Sequence, residues 1–169
     1  MPLSQFILSL LAFAVATAQG DEGVRTFRQE AESACRQGEF SEYLFYMAGS
    51  REAPHFAAPQ VRVTRNGRTG IVSRSAWRGF AIATLDWNYV AADGNSDSPD
   101  YLDVQMREVR PGTWRVDWVR ARFDGSAEGD SLGNVVETYG PRGHYLFNRV
   151  GDCWQITDDV LEAESAQRR

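Results

Sequence analysis

The sequence predicts an α+β fold: an N-terminal helix or helix pair packed on a curved antiparallel meander sheet of about six strands. Three observations carry this. Apolar residues recur at spacings of three and four between Gly23 and Met47. Beyond Pro59 they alternate in short runs separated by Gly, Pro, Asn and Asp. Pairs such as Asn66-Gly67 and Gly151-Asp152 stand where such runs would turn back on themselves.

Each element follows in order. Phe27, Ala31, Ala34 and Cys35 share one helical face; Gly38 interrupts, and the pattern resumes with Phe40, Tyr43, Leu44 and Met47. Two short helices and one kinked helix fit equally well. Pro54 and Pro59 in "REAPHFAAPQ" end the helical region. "QVRVTRNGRTGIVS" is a hairpin, and "GFAIATLDWNYVAA" is expected as a strand with Ala81, Ala83, Leu85, Trp87 and Tyr89 on one face. "YLDVQMREV" aligns Leu102, Val104 and Met106. After the turn "RPGT", Trp114, Val116 and Trp118 alternate until the apolar side moves to Val119, Ala121 and Phe123, which predicts a β-bulge or a strand running past the core. "GHYLFNRVGDCWQITDDV" is a final hairpin, and the tail from about residue 162 is expected to fray. There is no internal repeat and no linker, so residues 19–169 read as one domain.

Residues Leu3 to Ala18 are apolar or small and uncharged, and "ATA", Ala16 to Ala18, is a small-x-small cleavage signal. Residues 1–18 therefore read as a signal peptide. A retained anchor is the competing reading, because no Lys or Arg precedes the apolar run; the run is short for a membrane span of about 20 residues. Export places the chain in the periplasm or outside the cell, with no integral membrane segment once the signal is cleaved. In such an oxidising space the two cysteines, Cys35 and Cys153, pair as one bridge joining the first helix to the last strand. Two buried thiols are the alternative. A bridge closing a loop of that length stabilises by about 4–5 kcal/mol in the chain-entropy model.

The net charge of −5 speaks against nucleic acid or anionic lipid as a partner. All 18 basic residues are Arg, which excludes Schiff-base lysines, the P-loop lysine and Ser–Lys dyads.

Short N-terminal helices, then hairpin strands, closing on "YLF…GDCWQI", resemble the nuclear-transport-factor-two-like fold. The resemblance implies a cone in which helices cover the concave face of a bent sheet. It also implies a helix between the early strands, for which "SRSAWRGF" is the only space. In isomerase and cyclase relatives a pocket Asp or His acts as general base; no residue of this chain matches those enzymes closely enough to carry a role over.

Other motifs are weak. "GDSLG" fits G-x-S-x-G around Ser131, but polar "DGSAE" precedes it and Pro141 removes the Asp-x-x-His partner. Asp124, Ser126, Glu128 and Asp130 alternate like a calcium loop, yet Val135 stands where a Glu is required; Asp93, Asn95 and Asp97 lack the glycine, with Ser98 in its place. His55 and His144 are far apart and have no zinc-ligand spacing. No cofactor and no metal is called for. Trp87, Trp114 and Trp118 are candidates for an apolar pocket, the five tryptophans otherwise serving as core. The first functional reading is an exported, non-catalytic binding module for an unknown protein or small apolar ligand. The alternative is an isomerase- or cyclase-like enzyme with Asp117 or His144 as base, since a carboxylate in an apolar pocket gains the raised pKa that proton abstraction needs.

Overall fold

The computed structural model describes residues 19–95, 97–126 and 132–162, with side chains from residue 26 onward. The leader, Ser131, Glu128, Asp130 and the tail from residue 163 lie outside the described residues. The helical region is two helices, α1 (Gln19–Gln37) and α2 (Phe40–Gly49). Gly38, at φ 80°, separates them: its N–H bonds the carbonyl of Cys35, and the Glu39 N–H reaches Ala34. That pair of bonds is a Schellman cap, which needs a left-handed residue at this position. The inward stripe is as the spacing predicts, with Ala31, Ala34, Cys35, Phe40, Tyr43, Leu44 and Met47 all buried. A 3₁₀ turn, Ala53–Phe56, leads into the strands.

The main sheet has six strands: β1 (Ala57–Arg65), β2 (Arg68–Ser73), β5 (Leu102–Arg110), β6 (Thr113–Phe123), β7 (Val135–Val150) and β8 (Cys153–Leu161). Their spatial order is β2-β1-β8-β7-β6-β5. The helices pack on its concave face, where Phe40 stacks on Trp114 at 4.5 Å between ring centres and meets Phe147 and Trp154 edge-on. The Tyr43 hydroxyl donates to the Trp154 carbonyl at 2.9 Å. Cys35, in the last turn of α1, is disulfide-bonded to Cys153 at the start of β8, with Cα atoms 4.8 Å apart.

The sheet differs from a pure antiparallel meander in one pairing: β1 runs parallel to β8. These strands lie at opposite ends of the chain, and local hairpin chemistry says nothing about how such distant strands meet. The hairpins read from sequence are present. Asn66 and Gly67, at φ 51° and 74°, make the β1–β2 turn, whose two positive φ values match the twist of the strands. Val150 pairs with Cys153 around Gly151 and Asp152.

The predicted single strand "GFAIATLDWNYVAA" is instead a separate hairpin, β3 (Ile82–Leu85) and β4 (Asn88–Ala91). Asp86 and Trp87 form its tip at φ 45° and 66°. Asp86 is an ordinary turn residue, but Trp87 at positive φ is not, and the period-two alternation across the pair hid the turn. The Asn88 side-chain amide donates to the Asp86 carbonyl at 2.8 Å and braces the tip. "SRSAWRGF" forms no helix; Ala76 and Trp77 turn back on the Ser73 carbonyl, and Trp77 enters the core at 1% exposure.

Two slips shape the concave face. The β6–β7 register jumps between Val119 and Arg120, with Gly140 and Pro141 as the extra residues on β7, where the burial switch in β6 predicted a bulge. A second slip lies between Leu146 and Phe147 and turns Asp159 of β8 onto the helix-facing side beside Tyr145.

Candidate functional site

A cavity of about 470 Å³ opens on the concave face at the end of the sheet remote from Trp114. Its floor is one row across the strands, from Arg65 on β1 through Leu161 on β8 to Trp118 on β6. These residues share that row because Arg65 pairs with Leu161, Leu161 with Gly143, and Gly143 with Trp118. Gly143 has no side chain for a physical reason: a Cβ there would lie 2.7 Å from Trp118 Cζ2. Its absence lets the indole lie over the strand.

The roof is Phe80 and Ala81 together with Ala91, which ends β4, and Ala92 and Asp93 beyond it. Tyr145 holds it down. Its hydroxyl accepts the Ala81 N–H at 2.7 Å and donates to the Gly79 carbonyl at 3.1 Å. Burial keeps this phenol protonated, its pKa pushed far up, with Asp159 adding to the effect. Beyond Phe80 lies a second cavity of about 550 Å³, which shares Gly79, Phe80, Ala91 and Ala92 as its wall and runs between α2 and the β3–β4 hairpin.

Polar groups gather at two points. Behind the floor, Asp159 is 1% exposed, and its Oδ2 accepts from Arg65 Nη2 at 2.7 Å and Trp77 Nε1 at 2.9 Å. At the roof edge, Arg120 donates from Nη2 to Asp93 at 2.8 Å and from Nε to Asp100 at 3.2 Å. The Trp118 indole N–H is buried with no acceptor among the described residues.

The residues singled out in the sequence fall in different places. Trp118 lines the cavity. Trp114 lies under α2, stacked on Phe40. Trp87 is 72% exposed at its hairpin tip and stacks on Phe45. The three do not form one pocket. Asp117 and His144 are brought together as direct partners across β6 and β7, but alternation puts both on the face opposite Val116 and Tyr145, outside the cone. Arg115 clamps Asp117 at 2.6 and 2.9 Å, and Arg107 stands 3.5 Å away. Burial first, and then the charge of Arg115, hold the His144 imidazole below its ordinary pKa. His55 lies in the 3₁₀ turn, 3.6 Å from Glu32.

Asp124 Oδ1 accepts from the Ser126 hydroxyl and from the backbone N–H of Ser126 and of Asn134, the latter two at 2.9 Å. These bonds hold its carboxyl well below the usual range. Among the described residues no three His, Cys, Asp and Glu side chains gather closely enough to hold a metal ion.

Sequence reasoning missed Arg65, Trp77, Arg120, Tyr145 and Asp159. One signal was available: "ITDDV" sets two adjacent carboxylates in an otherwise apolar strand, so one of them must face inward.

No protein-family model matches the chain, and no curated protein matches it. Among solved structures it is similar to a DUF4783 family protein from Bacteroides ovatus, with 13% identity, TM-score 0.41, and coverage of 80% of this chain and 94% of that one. It is also similar to a nuclear-transport-factor-two-like protein of unknown function from Shewanella oneidensis, with 13% identity, TM-score 0.33 and coverage of 86% and 100%. A third is a candidate dehydratase of the same fold family from Streptomyces avermitilis, with 14% identity, TM-score 0.32 and coverage of 86% and 97%. The resemblance noted in the sequence is thus met again among solved structures, at low identity.

Proposed function

We propose that this chain is an exported, non-catalytic module that binds a small apolar ligand in the cavity over Trp118. The observation that carries it is the composition of that cavity. Its walls are largely aromatic, proline and aliphatic, its volume suits a small molecule, and its ionised side chains are already paired. A general base needs an uncommitted group within reach of a bound substrate, and Asp117 and His144 face away from the cone. For export, the uncharged leader and the disulfide give support. Among the described residues no helix is long and apolar enough to cross a membrane.

The test is titration with neutral phenylnaphthylamine, whose fluorescence rises in apolar surroundings. Ala92 lines both cavities and is exposed, so Ala92→Trp fills the mouth without entering the core. Saturable binding by the wild type and its loss in Ala92→Trp are expected. Absent binding, or equal binding by the variant, would overturn the reading.

One observation favours the isomerase- or cyclase-like alternative. His144 is held toward its neutral form opposite Asp117, and its Nδ1 is buried without a hydrogen-bond partner among the described residues. A groove of about 360 Å³ on that outer face contains Asp117, Arg107 and Arg142. Turnover of a carbonyl substrate that disappears in Asp117→Asn would move the function there.

A further inference from the structure

Independently of the cavity, we propose that the free edge of β2 is a docking strand for an extended acidic segment of another protein. Between Glu52 and Asp86 the chain has no carboxylate, and it carries Arg62, Arg65, Arg68, Arg74 and Arg78. In a chain of net charge −5 this is a concentrated positive stretch. The chain's own acids answer two of the five: Arg62 meets Asp158 at 2.9 Å and Arg65 meets Asp159 at 2.7 Å. Arg68, Arg74 and Arg78 have no carboxylate partner among the described residues; Arg78 donates to the carbonyls of Ser75 and Trp77.

The same stretch ends the sheet. Among the described residues β2 has β1 on one side and no strand on the other. The Arg74 N–H bonds the Pro59 carbonyl, so by antiparallel alternation Arg68, Gly70 and Val72 also face β1. Thr69 and Ile71 then turn their backbone N–H and C=O groups outward, and Ile71 is 69% exposed. An open edge of this kind is a template for a further strand. Arg68 and Arg74 lie on the same face of it, that of the buried Val61, six residues and about 20 Å apart. The path between them is open at Gly70, where a Cβ would meet nothing within 4 Å. At the Arg74 end lies a groove of about 560 Å³ with Pro54, His55, Pro59, Ser73 and Ser75. Arginines at both ends deter apolar and basic strands and admit an acidic one. The docked segment therefore has carboxylates six positions apart, opposite Arg68 and Arg74, and an apolar residue midway, opposite Ile71.

The probe is the peptide Ser-Glu-Thr-Val-Val-Val-Thr-Glu-Ser-amide with a neutral coumarin at its N-terminus, followed by fluorescence anisotropy. Its side chains read alike in both strand directions. Saturable binding is expected, at least about tenfold weaker when Gln replaces both Glu. Binding should also weaken severalfold between about 0.05 M and about 0.5 M salt. Arg68→Gln and Arg74→Gln should each weaken it severalfold, and Arg110→Gln on β5, the opposite edge, should bind as the wild type does. Arg68 is exposed and unpaired, so its variant folds whatever becomes of Arg74→Gln. A peptide N-methylated at all three Val should not bind, because the main-chain bonds are blocked. Equal binding of the Glu and Gln peptides, unchanged binding by Arg68→Gln, or full binding of the N-methylated peptide would overturn the proposal. So would an absence of peptide binding; if dextran sulfate then binds, the basic edge serves a polysaccharide instead.

Discussion

Replacing Asp159 by Asn tests the polar cluster behind the cavity. The substitution keeps the size of the side chain and removes its charge. Arg65 is 37% exposed, so water recovers much of what its guanidinium loses, and that side of the cluster costs little. Trp77, 1% exposed, has no such recourse. Its bond to Oδ2 falls from charge-assisted to neutral, a loss of about 1 kcal/mol. The new amide also brings donors to a place where Arg65 and Trp77 already donate, and one donor left buried and unpaired costs about 1–3 kcal/mol. The expected loss is therefore about 2–4 kcal/mol. With a urea slope of about 2 kcal/mol per molar, the midpoint should fall by about 1–2 M. Tryptophan fluorescence in urea, with the disulfide intact, reads this directly. In a Trp77→Phe background the same change should cost about 1 kcal/mol less, because the shared bond is already gone. A midpoint shift below about 0.3 M would refute the reasoning: Asp159 would then be hydrated rather than bonded to Trp77 and Arg65.

Replacing both cysteines by Ala releases a constraint across a sequence separation of 118; the expected loss is about 4–5 kcal/mol, and a thermal midpoint equal to that of the wild type would contradict it. Gly143→Ala drives a Cβ against the Trp118 ring and the Val160 carbonyl; a loss of about 1–3 kcal/mol with weakened phenylnaphthylamine binding is expected, and unchanged binding would show that Trp118 does not shape the floor. His144 has its folded pKa below the unfolded value of about 6.5. Its contribution to stability is full above that pH and is lost as pH falls through the folded value. His144→Gln should therefore flatten part of the fall in thermal midpoint between about pH 7 and pH 5; an identical fall would place the pH dependence elsewhere.

Much of the architecture was legible because it is local. The helical stripe, the break at Gly38, the Asn66-Gly67 turn and the burial switch in β6 that marks the bulge opposite it each follow from a few adjacent residues. The Cys35–Cys153 bridge followed from compartment and count rather than from spacing. The Asp86-Trp87 turn was not legible, since Trp87 stands where such a turn favours Gly and its stacking on Phe45 favours the turn only after α2 is in place. The parallel β1–β8 pairing and the row Arg65–Leu161–Gly143–Trp118 join residues far apart in the chain, which no short-range pattern encodes. For the same reason Asp117 and His144 looked like pocket residues: the sequence shows an Asp beside a Trp, whereas the pleat decides which of the two faces the cone.

The most direct measurement is native mass spectrometry of the protein purified without denaturation from its own cells, beside Ala92→Trp prepared identically. Binding in the cavity over Trp118 predicts a small-molecule mass added to the wild type and missing from the variant, on a chain two hydrogens lighter than its reduced form. The same added mass on both proteins, or a protein partner with no small molecule on either, would contradict it.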